Sequence, residues 1–117
     1  MERVEVAGGR LEYQWVSGGE GRAPLVFLHE GLGCVAMWGR FPQALAAATG
    51  TRALAYSRLG YGGSDPLPAP RTARFLHDEA LLVLPDVLER LGARAPVLIG
   101  QSDGASIALI HAASHAV

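Results

Sequence analysis

Val4 and Val6, then Leu11, Tyr13 and Trp15, take alternate positions on either side of Ala7-Gly8-Gly9-Arg10. A period of two broken by glycines predicts a β-hairpin. Ser17 to Arg22 reads as a loop. Pro24-Leu25-Val26-Phe27-Leu28 is a continuous apolar run, the pattern of a strand buried on both faces. After the turn His29-Glu30-Gly31-Leu32-Gly33, a helix is predicted from Met37 to Ala48, stopped by Gly50. Arg52 to Tyr56 is the next strand, and Gly60 to Pro66 a long turn leading into a proline-rich connector.

A second helix is predicted from Thr72 to Leu91, where Leu81, Leu84, Leu88 and Leu91 recur at helical spacing. Pro85 should kink or divide it, and Gly92 should end it. Pro96 to Ile99 is the last strand and Ser102 to about Ser114 the last helix. A hairpin followed by three strand–helix units implies an α/β fold. Its sheet is mostly parallel, with an antiparallel N-terminal hairpin and helices on both faces.

Composition narrows the possibilities. Half of the 117 residues are hydrophobic and 18% are charged, which suits one folded domain. A net charge of -1 gives no electrostatic reason for a nucleic acid or membrane partner. Every basic residue is Arg, so a phosphate loop that needs Lys is excluded. The charged start Met1 to Glu5 carries no signal-peptide pattern, and no apolar run is long enough to span a bilayer. A cytoplasmic location is the default expectation. Cys34 alone makes neither a disulfide framework nor a zinc site, and Asp65, Asp78 and Asp86 lack metal-ligand spacing.

Gly100-Gln101-Ser102-Asp103-Gly104 sits between the last strand and the last helix and fits G-x-S-x-G. A serine at such a turn is held in strained backbone, and the flanking glycines let neighbouring chain pass without a Cβ clash. Its position at a helix N-terminus favours developing negative charge, with the N–H of Asp103 as one oxyanion donor. His29-Glu30-Gly31-Leu32-Gly33 could offer the second, from Gly31 or Leu32, with His29 a structural residue of the turn. His111 and His115 lie on the helix that Ser102 opens. At about 1.5 Å per residue, His111 is about 13 Å along the axis, beyond the reach of a general base. His77 reads as a surface residue. A competing pattern, Gly31-Leu32-Gly33-Cys34-Val35-Ala36, fits the dinucleotide fingerprint G-x-G-x-x-A, with Arg58 a candidate for a 2′-phosphate.

Taken together, Leu25 to Gly31, Tyr56 to Ser64 and Val97 to Ala108 resemble three motifs of the α/β-hydrolase superfamily, in the family's order. Ser57 replaces the Asp common in the second motif, Glu30 stands where a glycine often follows the histidine, and Gln101 where histidine is common. The resemblance implies a truncated α/β-hydrolase fold, the N-terminal half, ending just after the elbow helix. It implies Ser102 as nucleophile toward a small-molecule acyl substrate such as an ester or thioester, and no cofactor. The family's triad acid and histidine follow the serine, and only Asp103 to Val117 follow here. The chain is therefore expected to be inactive alone. It should expose Val97 to Ile99 as an apolar edge and to leave the Ile107–Ile110 helix face short of cover. Self-association, or a second chain supplying the missing strands, is expected to answer this. A non-catalytic half-fold that binds a partner, and an NADP-binding Rossmann-like domain, are the alternative functions.

Overall fold

The computed structural model describes residues 1–19 and 22–114. Part of the predicted Ser17–Arg22 loop and His115 fall outside them. Five strands form one sheet in the order β1-β2-β4-β3-β5. β1 (Glu2–Val6) and β2 (Gly9–Val16) make the predicted hairpin, and β2 pairs antiparallel with β4 (Ala53–Tyr56). β3 (Leu25–Leu28) lies parallel between β4 and β5 (Val97–Gly100).

The continuous apolar runs of β3 and β4 are explained by two cores. Val26, Leu28, Leu54 and Tyr56 face one side of the sheet, with Leu84, Val87, Leu88 and Ile107 packed over them. Leu25, Phe27, Ala53 and Ala55 face the other, against Val35 and Ala46. With a side-chain period of two, only a sheet covered on both faces needs every residue apolar.

The helix predicted over Met37–Ala48 is divided. A 3₁₀ turn, Val35–Trp38, precedes α1 (Phe41–Thr49), and Gly39 breaks the path at φ 58°. The break brings Trp38 edge-on to Phe27, 5.0 Å between ring centroids, and places Pro42 in the first turn of α1, where its missing N–H costs nothing. Gly50 ends α1 in the left-handed conformation, as expected. The second helix starts at Phe75 rather than Thr72. α2 (Phe75–Asp78) runs into a π-helical turn, Glu79–Val83, and then α3 (Leu84–Arg90). Pro85 causes this: it has no N–H for the carbonyl of Leu81, and the widened turn removes the clash of its ring with that carbonyl.

α4 (Asp103–Ser114) packs on the same face as α3. Its Ile107 is fully buried, contrary to expectation, and Ile110 packs against the core. The uncovered apolar position on α4 is Leu109, 73% exposed. β5 is the sheet's edge among the described residues, and Val97 is half exposed there.

Candidate active site

The chain leaves β3 toward α1 on one face of the sheet and leaves β5 toward α4 on the other. Two neighbouring parallel strands whose connections diverge in this way open a crevice at their C-terminal ends. The turns after β3 and β5 meet there. Ser102 is exposed at that crevice with φ 55°, one of two non-glycine residues with positive φ among those described. A non-glycine residue there stores about 1–3 kcal/mol. The turn is fixed by bonds from Gln101 N–H to Leu28 O (3.2 Å), Gly104 N–H to Gln101 O (2.9 Å) and Ala105 N–H to Ser102 O (2.9 Å).

The two glycines are required by close approach. A Cβ on Gly104 would overlap the carbonyl of Leu28, and one on Gly100 would overlap the carbonyl of Gly104. Both obstacles are backbone, so neither can swing aside. The elbow is thus pressed directly against the end of β3.

His29 is buried and both its ring nitrogens are engaged. Nε2 accepts the N–H of Arg58 at 3.0 Å, so Nδ1 carries the proton and donates to Glu30 O at 2.6 Å. Burial, with the nearby Arg58 charge, lowers its pKa to about 4, although the Glu30 carbonyl opposes this. The neutral imidazole has no spare nitrogen. Arg58 is itself buried. Its guanidinium donates to His29 O (2.8 Å) and Glu30 O (3.4 Å) and lies 3.6 Å from the Asp103 carboxylate. That carboxylate packs against Gly31, where a Cβ would touch it. The structure therefore brings His29, Gly31, Ser102 and Asp103 to one place, while Leu32 stands out in solvent at 90% exposure. A cleft of about 170 Å³ beside them is lined by His29, Glu30, Cys34, Trp38 and Gln101.

The dinucleotide pattern does not survive. No helix opens at Gly31–Gly33; α1 starts only at Phe41, after the 3₁₀ turn. Arg58 is spent on carbonyls inside the protein and is not available to a 2′-phosphate. A sequence profile of the alpha/beta hydrolase fold matches residues 23–116. The chain belongs to the α/β-hydrolase family.

Solved hydrolases superpose on nearly all of this family member. An N-acyl homoserine lactone degrading enzyme is 26% identical with a TM-score of 0.78, over 97% of this chain and 40% of its own. A structure reported for carboxylesterases of the thaumarchaeon Nitrososphaera gargenis is 25% identical with a TM-score of 0.81, over 97% of this chain and 41% of its own. Epoxide hydrolase A from Mycobacterium thermoresistibile is 27% identical with a TM-score of 0.75, over 95% of this chain and 34% of its own. The chain thus spans about two fifths of the first two. No curated protein matches it.

Three features of this family member escaped the sequence. Ser57, in the family's Asp position, accepts the Val35 N–H at 2.9 Å and donates to the Glu12 carboxylate at 2.6 Å. The carboxylate thus comes from β2 instead, and no local motif could announce that. Glu79 is partly exposed, but its Oε2 is buried without a hydrogen-bond partner, and desolvation raises its pKa to about 7. The role of Arg58 was equally hidden, because its partners are backbone carbonyls. The other two described histidines stand apart from the elbow: His77 is exposed on α2, and the His111 ring is bonded to Ala80 O at 3.0 Å.

Proposed function

We propose that this chain is the nucleophile-bearing part of a serine hydrolase that cleaves ester, thioester or similar acyl bonds. The observation that carries the reading is the strained Ser102 at the strand–helix turn, with the oxyanion loop against the same turn. The Ser102 oxygen attacks the acyl carbonyl carbon while a base takes its proton. The carbonyl π electrons move to oxygen, and the N–H groups of Asp103 and of Gly31 or Leu32 hold the oxyanion. Collapse breaks the bond to the alcohol or thiol, which leaves with that proton, and water then hydrolyses the acyl-serine. The names of the lactone-degrading and carboxylesterase relatives support this class of substrate. No cofactor enters these steps.

The base and its carboxylate partner come from residues beyond those described, or from a second chain carrying further strands. The surface suited to receive such strands is the free edge of β5 and the apolar hollow of about 800 Å³ beside it, bordered by Leu88, Leu98 and Leu109. A non-catalytic partner-binding role is the second reading, favoured by the engagement of both His29 nitrogens elsewhere.

A fluorophosphonate probe tests the first reading. Phosphonylation forms a Ser102 oxygen–phosphorus bond and releases fluoride and a proton. We expect slow labelling, one adduct per chain, absent in Ser102→Ala. An oxyanion hole without its triad retains about 10³–10⁴-fold acceleration over water. Equal labelling of the Ser102→Ala chain, or none of either, refutes the proposal.

A further inference from the structure

The peptide joining Glu30 to Gly31 is held from one side by three donors. Its carbonyl oxygen accepts the Gly33 N–H (3.1 Å), the His29 Nδ1–H (2.6 Å) and the Arg58 guanidinium (3.4 Å). The peptide is trans, so its N–H, which belongs to Gly31, points the opposite way. Among the described residues that N–H has no hydrogen-bond partner, and nor has the N–H of Asp103. No such clamp holds the Gly31–Leu32 carbonyl, which accepts no described bond.

Arg58 does more than grip this carbonyl. The same guanidinium also bonds His29 O, and its charge faces the Asp103 carboxylate at the start of α4. One buried cation therefore ties together the two turns that carry the free N–H groups. Its backbone N–H fixes the His29 tautomer as well, and only that tautomer can donate to Glu30 O.

We propose that Arg58 and His29 are positioning residues that lock the Glu30–Gly31 peptide plane, so that Gly31, and not Leu32, presents the second oxyanion N–H. The inference rests on the serine-hydrolase reading above. Its logic is that of a latch: a peptide free to rotate would offer its carbonyl as readily as its N–H, and a carbonyl facing an oxyanion repels it. Three donors on the carbonyl side remove that choice before substrate arrives. Preorganisation of this kind is the main source of oxyanion stabilisation.

Phenylboronic acid titrated into the full chain, labelled with ¹⁵N at Gly, Leu and Asp, provides the test. The Ser102 oxygen bonds boron, its proton passes to buffer, and the tetrahedral adduct places one oxygen at the oxyanion position. In the wild-type chain the Gly31 and Asp103 amide signals should move together, and Ser102→Ala should abolish both shifts. Arg58→Ala strips buried carbonyls of donors and puts folding at risk, so Arg58→Lys decides. It keeps a charge beside Asp103 but lacks the planar fork that reaches two carbonyls. We expect the Asp103 signal to respond in Arg58→Lys, the Gly31 signal to stop responding, and boronate affinity to fall at least about tenfold. Removing an oxyanion donor outright costs about 10²-fold or more in turnover. Guanidinium added to folded Arg58→Ala should restore the Gly31 response. An unchanged Gly31 response in Arg58→Lys, or a Leu32 response in the wild type, overturns the latch and leaves the hydrolase reading standing. No response of any amide in the wild type overturns the hydrolase reading, and the latch with it.

Discussion

Replacing Glu79 by Gln should stabilise the protein in alkaline solution and leave it unchanged in acid. The Glu79 carboxyl is pushed up to about 7 from 4.5, mainly by burial, with Asp78 adding and Arg58 and Arg71 opposing. The buried Tyr56 hydroxyl, also without a hydrogen-bond partner, senses the Glu79 charge. Between pH 4.5 and 7 the folded chain keeps a proton that the unfolded chain has lost, so stability falls as pH rises through this window. The separation of about 2.5 pH units corresponds to about 3 kcal/mol at roughly 1.4 kcal/mol per unit. His29 works with the opposite sign. Its pKa falls from 6.5 to about 4, so between these values the unfolded chain binds the extra proton and stability rises with pH. Over the shared window the two trends nearly cancel in the wild type. Glu79→Gln removes one of them. Urea unfolding followed by circular dichroism should give equal stabilities for the two chains at pH 4, and a variant more stable by about 3 kcal/mol at pH 8. A difference that does not vary with pH would refute the reasoning.

Three further outcomes are expected. Gly104→Ala, whose Cβ would overlap the Leu28 carbonyl, should destabilise the chain by about 2 kcal/mol or more; an unchanged melting temperature would contradict the packing at the elbow. Ser102→Gly should relieve the positive φ and stabilise by about 1 kcal/mol while abolishing fluorophosphonate labelling, and a drop in melting temperature would sink the idea of strain there. Sedimentation should show the isolated chain self-associating through the β5 edge, with Val97→Lys and Leu109→Glu shifting it toward monomer; a wild-type chain that stays monomeric and melts high would remove the argument.

The strand–helix sequence and the elbow could be read directly because they depend on local chemistry. Alternation marks the hairpin, unbroken apolar runs mark β3 and β4, and a serine between spaced glycines marks the turn. What could not be read depends on distant partners. Gly39 and the demand of Trp38 for contact with Phe27 split the first helix, although the local pattern runs through it. Pro85 was seen as a break, but its accommodation by a π turn depends on packing between this segment and α4. Arg58 was read as a candidate for a 2′-phosphate because its true partners are carbonyls contributed by residues far away in sequence.

The pairing of β3 with β5 sets an order of assembly. The hairpin and β4 can register soon after they are made, but Leu25 must wait for Val97, on the order of 70 residues later, before its second neighbour exists. Until then β3 is an apolar strand with one open side. The elbow turn rests on the end of that strand through Gly104 and Leu28. The Ser102 turn therefore forms after β3 and β4, when the scaffold that holds its strain is already in place. A nascent chain paused before β5 would carry the whole His29–Gly33 turn without the Ser102 turn that packs against it. At that stage β3 would be the segment most exposed to capture by a chaperone or by another copy.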